Sequence, residues 1–112
     1  MEPLSDAQKF IQDLTYAVES RSTELIDRLI SRDFVFAKCL EEISREQLIS
    51  ALLNASAGQL AIRLNNVNVQ AEVNIKMNVT VTGLGNLGQT WLYITKYGKR
   101  YMLIHGQEMR CP

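Results

Sequence analysis

The sequence predicts an α+β domain with helices first and sheet second, on three observations. Up to Ala55, apolar residues recur at three- and four-residue spacing, apart from one short aromatic run. After Gly58 they alternate with polar residues or form short runs apolar on both faces, and no helical period returns. No linker, repeat or low-complexity tract interrupts the chain, so residues 1–112 read as a single domain, long enough to bury one core.

Ser5 opens the first helix, and Gln8 three residues later completes a capping box. Ala7, Phe10, Ile11, Leu14, Ala17 and Val18 give that helix one apolar face, with Tyr16 roughly opposite. Ser22 caps a second helix that buries Leu25, Ile26, Leu29 and Ile30. The short connection near Arg21 lays the two helices against each other. Asp33 to Cys39, DFVFAKC, is aromatic and β-branched and predicts a short strand. Ser44 caps a third helix. Gln47 completes its box, and Ile43 and Leu48 stand at hydrophobic-staple positions. This helix runs to about Ala55, and Gly58 ends it.

The sheet follows. Leu60, Ile62 and Leu64 alternate, and Val67 and Val69 resume the pattern after Asn65-Asn66, which predicts a bulge or bend there. Val73, Ile75, Met77, Val79 and Val81 alternate with Glu72, Asn74, Lys76, Asn78, Thr80 and Thr82, so this strand has one face in the core and one in water. The runs TWLYIT and RYMLIHG differ in being apolar on both faces. Trp91 and Tyr93 oppose Leu92 and Ile94, and Tyr101, Leu103 and His105 oppose Met102 and Ile104. Such strands need cover on both sides. Helices supply one, and a second copy of the chain is the expected cover for the other, giving a homodimer through the outer sheet face.

The turn TKYGKR decides which residues share a face. A two-residue Tyr97-Gly98 turn forces positive φ on tyrosine. A three-residue loop with Gly98 in the left-handed position avoids that, pairs Tyr93 with Tyr101 and Trp91 with Leu103, and puts His105 on their face. The other register pairs Ile94 with Tyr101 and exchanges the two sets.

Twelve basic residues balance twelve acidic ones, and a neutral chain is a poor candidate for nucleic acid. Lys96, Lys99 and Arg100 cluster at the hairpin tip, where a solvated turn accounts for them. No apolar run approaches the ~20 residues of a membrane-spanning helix, so no membrane partner is expected. The start MEPLSDAQKF lacks the pattern of a signal peptide, which points to the cytoplasm if Met1 is the natural start. One histidine and two distant cysteines cannot form a zinc site at ordinary spacing, and no metal or cofactor is implied.

GLGNLG, residues 83–88, fits the G-x-G-x-x-G pattern of dinucleotide loops. That motif works by seating a pyrophosphate on the helix that follows its last glycine. Here Gln89 to Ile94 is a strand pattern, so the segment reads as a flexible hairpin loop.

Two amphipathic helices, the DFVF strand, the SREQL helix start and a meander ending in YMLIHGQE together resemble the nuclear transport factor 2-like superfamily. That group includes ketosteroid isomerases, SnoaL-like cyclases and the association domain of calcium/calmodulin-dependent kinase. The resemblance spans nearly the whole chain. It implies a cone-like, curved mixed sheet wrapped on three N-terminal helices, a pocket between them, and dimers through the outer sheet face. The isomerase branch would place a tyrosine at Leu14 and carboxylates near Lys38 and Leu92, and none of these is present. A second histidine common among relatives is Gln107 here.

Two function classes follow. The first is a non-enzymatic binding or assembly domain for a small apolar ligand or a protein partner, its pocket lined by Leu14, Trp91, Tyr93, Tyr101, Leu103 and His105. The second is an isomerase, dehydratase or cyclase using His105 as base. Glu108, on the opposite face by alternation, is not placed to orient that histidine. No catalytic residue is assigned. The family fold also implies that the first strand lies beside the last and parallel to it. That would make Cys39 and Cys111 neighbours and a candidate disulfide, with secretion after loss of a signal peptide as its corollary.

Overall fold

A computed structural model describes residues 3–55, 58–71, 74–84 and 88–109. The elements run α1 (Pro3–Glu19), α2 (Thr23–Leu29), β1 (Ile30–Ala37), β2 (Glu42–Ser44), α3 (Arg45–Asn54), β3 (Ala61–Ala71), β4 (Asn74–Thr82), β5 (Gly88–Tyr97) and β6 (Arg100–Glu108). The six strands form one curved, unclosed sheet in the order β2-β1-β6-β5-β4-β3. The β1–β6 pair is parallel and every other neighbouring pair is antiparallel. The helices pack on one face of this sheet, and the architecture is the predicted α+β cone.

Local chemistry accounts for the helix boundaries. α1 begins at Pro3, whose missing N–H costs nothing in the first turn. Ser5 therefore lies inside the helix, which corrects its assignment as the cap. Ser22 does cap α2, its hydroxyl accepting from the Leu25 N–H at 3.2 Å. α3 carries the full box: Gln47 N–H donates to Ser44 Oγ at 3.2 Å, and Ser44 N–H donates to Gln47 Oε1 at 2.9 Å. α2 passes straight into β1, so Ile30, expected on the helix, is the first strand residue and is fully buried there.

β4 buries Ile75, Met77, Val79 and Val81 against the helices, as its alternation predicts; Glu72 and Val73 lie outside the described residues. The expected irregularity at Asn65-Asn66 is present as a register shift between Leu64 and Asn66. β2 was not foreseen. Its three residues are too few to show a period, and it pairs back on β1 through Phe36↔Ile43.

The β5–β6 register differs from both sequence-derived alternatives. Tyr97 pairs with Arg100, so the turn residues are Gly98 and Lys99. Gly98 at φ +63 takes the first central position, and no positive φ falls on a tyrosine. A bulge follows: Ile94 pairs with Leu103 but Tyr93 pairs with His105, leaving Ile104 as the extra residue. Trp91, Tyr93 and His105 consequently share the helix-free face, while Leu103 turns into the core.

Candidate functional site

The six residues expected in one pocket are divided among three places. Leu14 and Leu103 are on the helix side, 4% and 2% exposed. There they line an apolar cavity of about 40 Å³ with Phe34, Phe36, Leu48 and Leu92 among its walls. That is room for one or two waters. β1 and β6 explain how the cone is filled. Phe36 lies directly across the parallel pair from Gly106, and a Cβ at Gly106 would stand 2.4 Å from the Phe36 ring. The absent side chain lets the phenyl group lie over the sheet and occupy the interior. Gly106 was visible in the His-Gly motif, but its role needed the β1–β6 register.

An open cleft of about 490 Å³ lies outside this cavity, between the β1–β2 turn and α3. Lys38, Glu41, Glu42, Gln47 and Asn54 give it polar walls, and Lys38 pairs with Glu41 at 3.7 Å. Leu48 and Leu84 line both spaces and so separate them.

Trp91, Tyr93 and His105 occupy the opposite, helix-free face of the sheet. Cross-strand pairing builds two adjacent rows, Val35–His105–Tyr93–Lys76 and Ala37–Gln107–Trp91–Asn78. The Tyr93 and His105 rings are 5.4 Å apart between centroids. Lys76 arches over the aromatic pair, its Nζ 4.3 Å from the Trp91 ring centroid and 5.5 Å from that of Tyr93. Trp91, Tyr93, His105, Val35, Met102 and Ile104 are all half-buried. Beyond β5 the face turns polar. Asn65 donates to Asn78 Oδ1 at 3.0 Å and to Thr80 Oγ1 at 2.8 Å. Among the described residues, no carboxylate hydrogen-bonds His105. Glu108 instead accepts from the Cys39 N–H at 3.1 Å.

Tyr101 is placed apart from both groups, at the hairpin end of β6 against α1. Its O–H donates to Asp6 Oδ2 at 3.3 Å. Burial, then the Asp6 charge and hydrogen bond, push its phenol above the ordinary tyrosine range.

The Cys39–Glu108 contact ties the end of β1 to the end of β6, as the expected cysteine pairing requires. Cys111 lies outside the described residues, and among the described residues there is no free thiol. The glycine loop follows the strand–loop–strand reading: β4 ends at Thr82 and β5 begins at Gly88, with Gly85 outside the described residues.

The fold recurs in solved structures. An NTF2-like protein from Cytophaga hutchinsonii superposes with a TM-score of 0.65 at 14% identity, over 96% of this chain and 97% of that one. An NTF-2 like protein of unknown function from Silicibacter pomeroyi gives 0.71 at 12% identity, over 93% and 92%. A de novo designed protein with a curved β-sheet gives 0.64 at 10% identity, over 92% and 95%. No curated protein matches the sequence. A family profile described as NTF2-like domain matches residues 5–112, and the chain, with its filled cone and its aromatic outer face, belongs to that NTF2-like family.

Proposed function

We propose that this is a non-enzymatic assembly domain whose outer sheet face binds a second copy of the chain. One observation carries the reading: the rows built on Val35, His105, Tyr93 and Trp91 form an aromatic patch on the face that no helix covers. Aromatic side chains and methionine are enriched at interface cores, and tyrosine and tryptophan bring large contact area at low entropic cost. A two-fold contact suits such a patch, since self-complementarity needs only one surface. The polar Asn65–Asn78–Thr80 flank would form its rim. The helix-side cavity, at about 40 Å³, is too small for a drug-sized ligand, which needs several hundred, and the cleft of about 490 Å³ beside it is open and carries five polar side chains. A small apolar ligand would therefore bind here only after the interior opened.

Light scattering across a micromolar concentration series tests the proposal. The expected mass is twice 12.7 kDa, falling to one chain in Trp91→Glu with its circular dichroism unchanged. A wild-type protein that stays at one chain mass at about 100 µM removes the reading, since at a Kd of about 1 µM most of it would be dimeric.

A further inference from the structure

At the hairpin end, well away from the outer-face patch, three elements enclose a crevice of about 140 Å³. Its floor is apolar: Phe10 of α1, Leu29 of α2 and the ring of Tyr101. Its walls carry four cations, Lys9 from α1 and Lys96, Lys99 and Arg100 from the β5–β6 hairpin. The sequence showed only the last three, as a solvated turn; the fold adds Lys9 and the floor. Among the described residues, none of the four makes an ion pair within 4 Å. Two carboxylates share the site, Asp6 and Asp13. Asp6 already accepts the Tyr101 O–H, and Lys96 lies 5.9 Å from the centroid of that same ring. Four cations less two carboxylates leave two positive charges over an apolar floor in a chain with no net charge.

We infer that this crevice binds a dianionic head group carried on a short apolar stem, as in a phosphate monoester or a dicarboxylate. Charge complementarity sets the valence. Arg100 supplies a planar donor pair suited to carboxylate or phosphate oxygens, and the lysines act as point charges around it. The Phe10–Leu29–Tyr101 floor takes the stem. Like charges gathered without partners repel one another, so an anion relieves an unfavourable term as well as making contacts. This predicts a paired signature: removing wall charge leaves the free protein as stable or more stable, and abolishes the stabilisation that the anion provides.

Thermal unfolding of the full chain reads both effects, with inorganic phosphate titrated against sodium chloride at matched ionic strength. At about ten times a millimolar Kd, the expected rise in Tm is roughly 5 °C. Phenyl phosphate is expected to reach the same rise at lower concentration, and malonate run in parallel separates phosphate from carboxylate chemistry. In Lys99→Gln/Arg100→Gln the rise is lost and the anion-free Tm does not fall. Lys9→Gln, on a different element, weakens the effect independently, and so serves if the hairpin variant misfolds. No rise with phosphate, phenyl phosphate or malonate, or equal rises in wild type and variants, overturns the inference.

Discussion

Two arginines hold the helical layer in place, and neither signals its role in the sequence. Arg21 closes the α1–α2 connection at φ +52, the one non-glycine positive φ among the described residues. It is held there because its guanidinium donates to the carbonyls of Leu53 and Ala55, at the end of α3. We expect Arg21→Ala to cost about 1–3 kcal/mol in urea unfolding, and Arg21→Gly roughly 1 kcal/mol less, because glycine keeps the turn without strain. If alanine equalled glycine, backbone strain would not be the term at issue. Arg45, the first residue of α3, donates to Ile30 O, Ser31 O and Asp27 O, carbonyls left open where α2 turns directly into β1. It also bonds Asp27 Oδ1 at 2.6 Å. That hydrogen bond, with the Arg45 charge, holds the Asp27 carboxyl below the usual carboxylate range. A depressed folded pKa contributes stability above the unfolded value of about 4, and that stability is lost as pH falls through the folded value. The stability gap between wild type and Asp27→Asn should therefore narrow below about pH 4 and stay open at pH 7. A gap independent of pH would refute the linkage.

At the scale of elements, the β1–β6 pair governs the interior. Phe36→Ala should cost about 3–5 kcal/mol and enlarge the cavity enough for benzene to raise the melting temperature of the variant and not that of the wild type. Gly106→Ala should cost about 1–3 kcal/mol by pressing on the same ring. The two substitutions should be less than additive in a double-mutant cycle; simple additivity would show that Phe36 and Gly106 do not share the space. The sequence displayed the elements that obey one local rule each. α3 was legible because its cap, box and staple sit within six residues, Ile43 to Leu48. β4 was legible because its two faces differ in polarity throughout. The hairpin register was not, since the extra residue at Ile104 is apolar like its neighbours and leaves no break in the pattern. The turn set the face of Tyr101 and Leu103, and the bulge returned His105 to the face of Tyr93. The expected pocket residues separate for this reason: they alternate correctly along each strand, but the Gly98-Lys99 turn puts Tyr101 and Leu103 opposite Trp91 and Tyr93, and the bulge brings only His105 back to them.

At the scale of the molecule, the first long strand and the last end side by side. Cys39 follows β1 and donates its N–H to Glu108 at the end of β6. We propose that Cys39 pairs with Cys111, closing a loop long enough to contribute about 4 kcal/mol in the chain-entropy model. Unreduced, alkylated protein should then carry no label on either thiol, and reduction should lower the melting temperature. Two labelled thiols in protein purified without reductant would remove the bridge and the argument for secretion built on it.

The strand order has a further consequence during synthesis. β6 is the last of these six strands to be made, yet it stands in the middle of the sheet, between β1 and β5. A ribosome that has finished β5 has released helices whose sheet is still split into two pieces, each with a raw inner edge. The β1–β2 hairpin and the β3–β4–β5 meander are joined by hydrogen bonds only when Arg100–Glu108 slots between them. Closing that gap spans most of the chain, a contact of high sequence separation that slows folding. A nascent chain stalled before β6 would expose two unpaired strand edges to its neighbours, where pairing between copies leads to aggregation rather than to assembly.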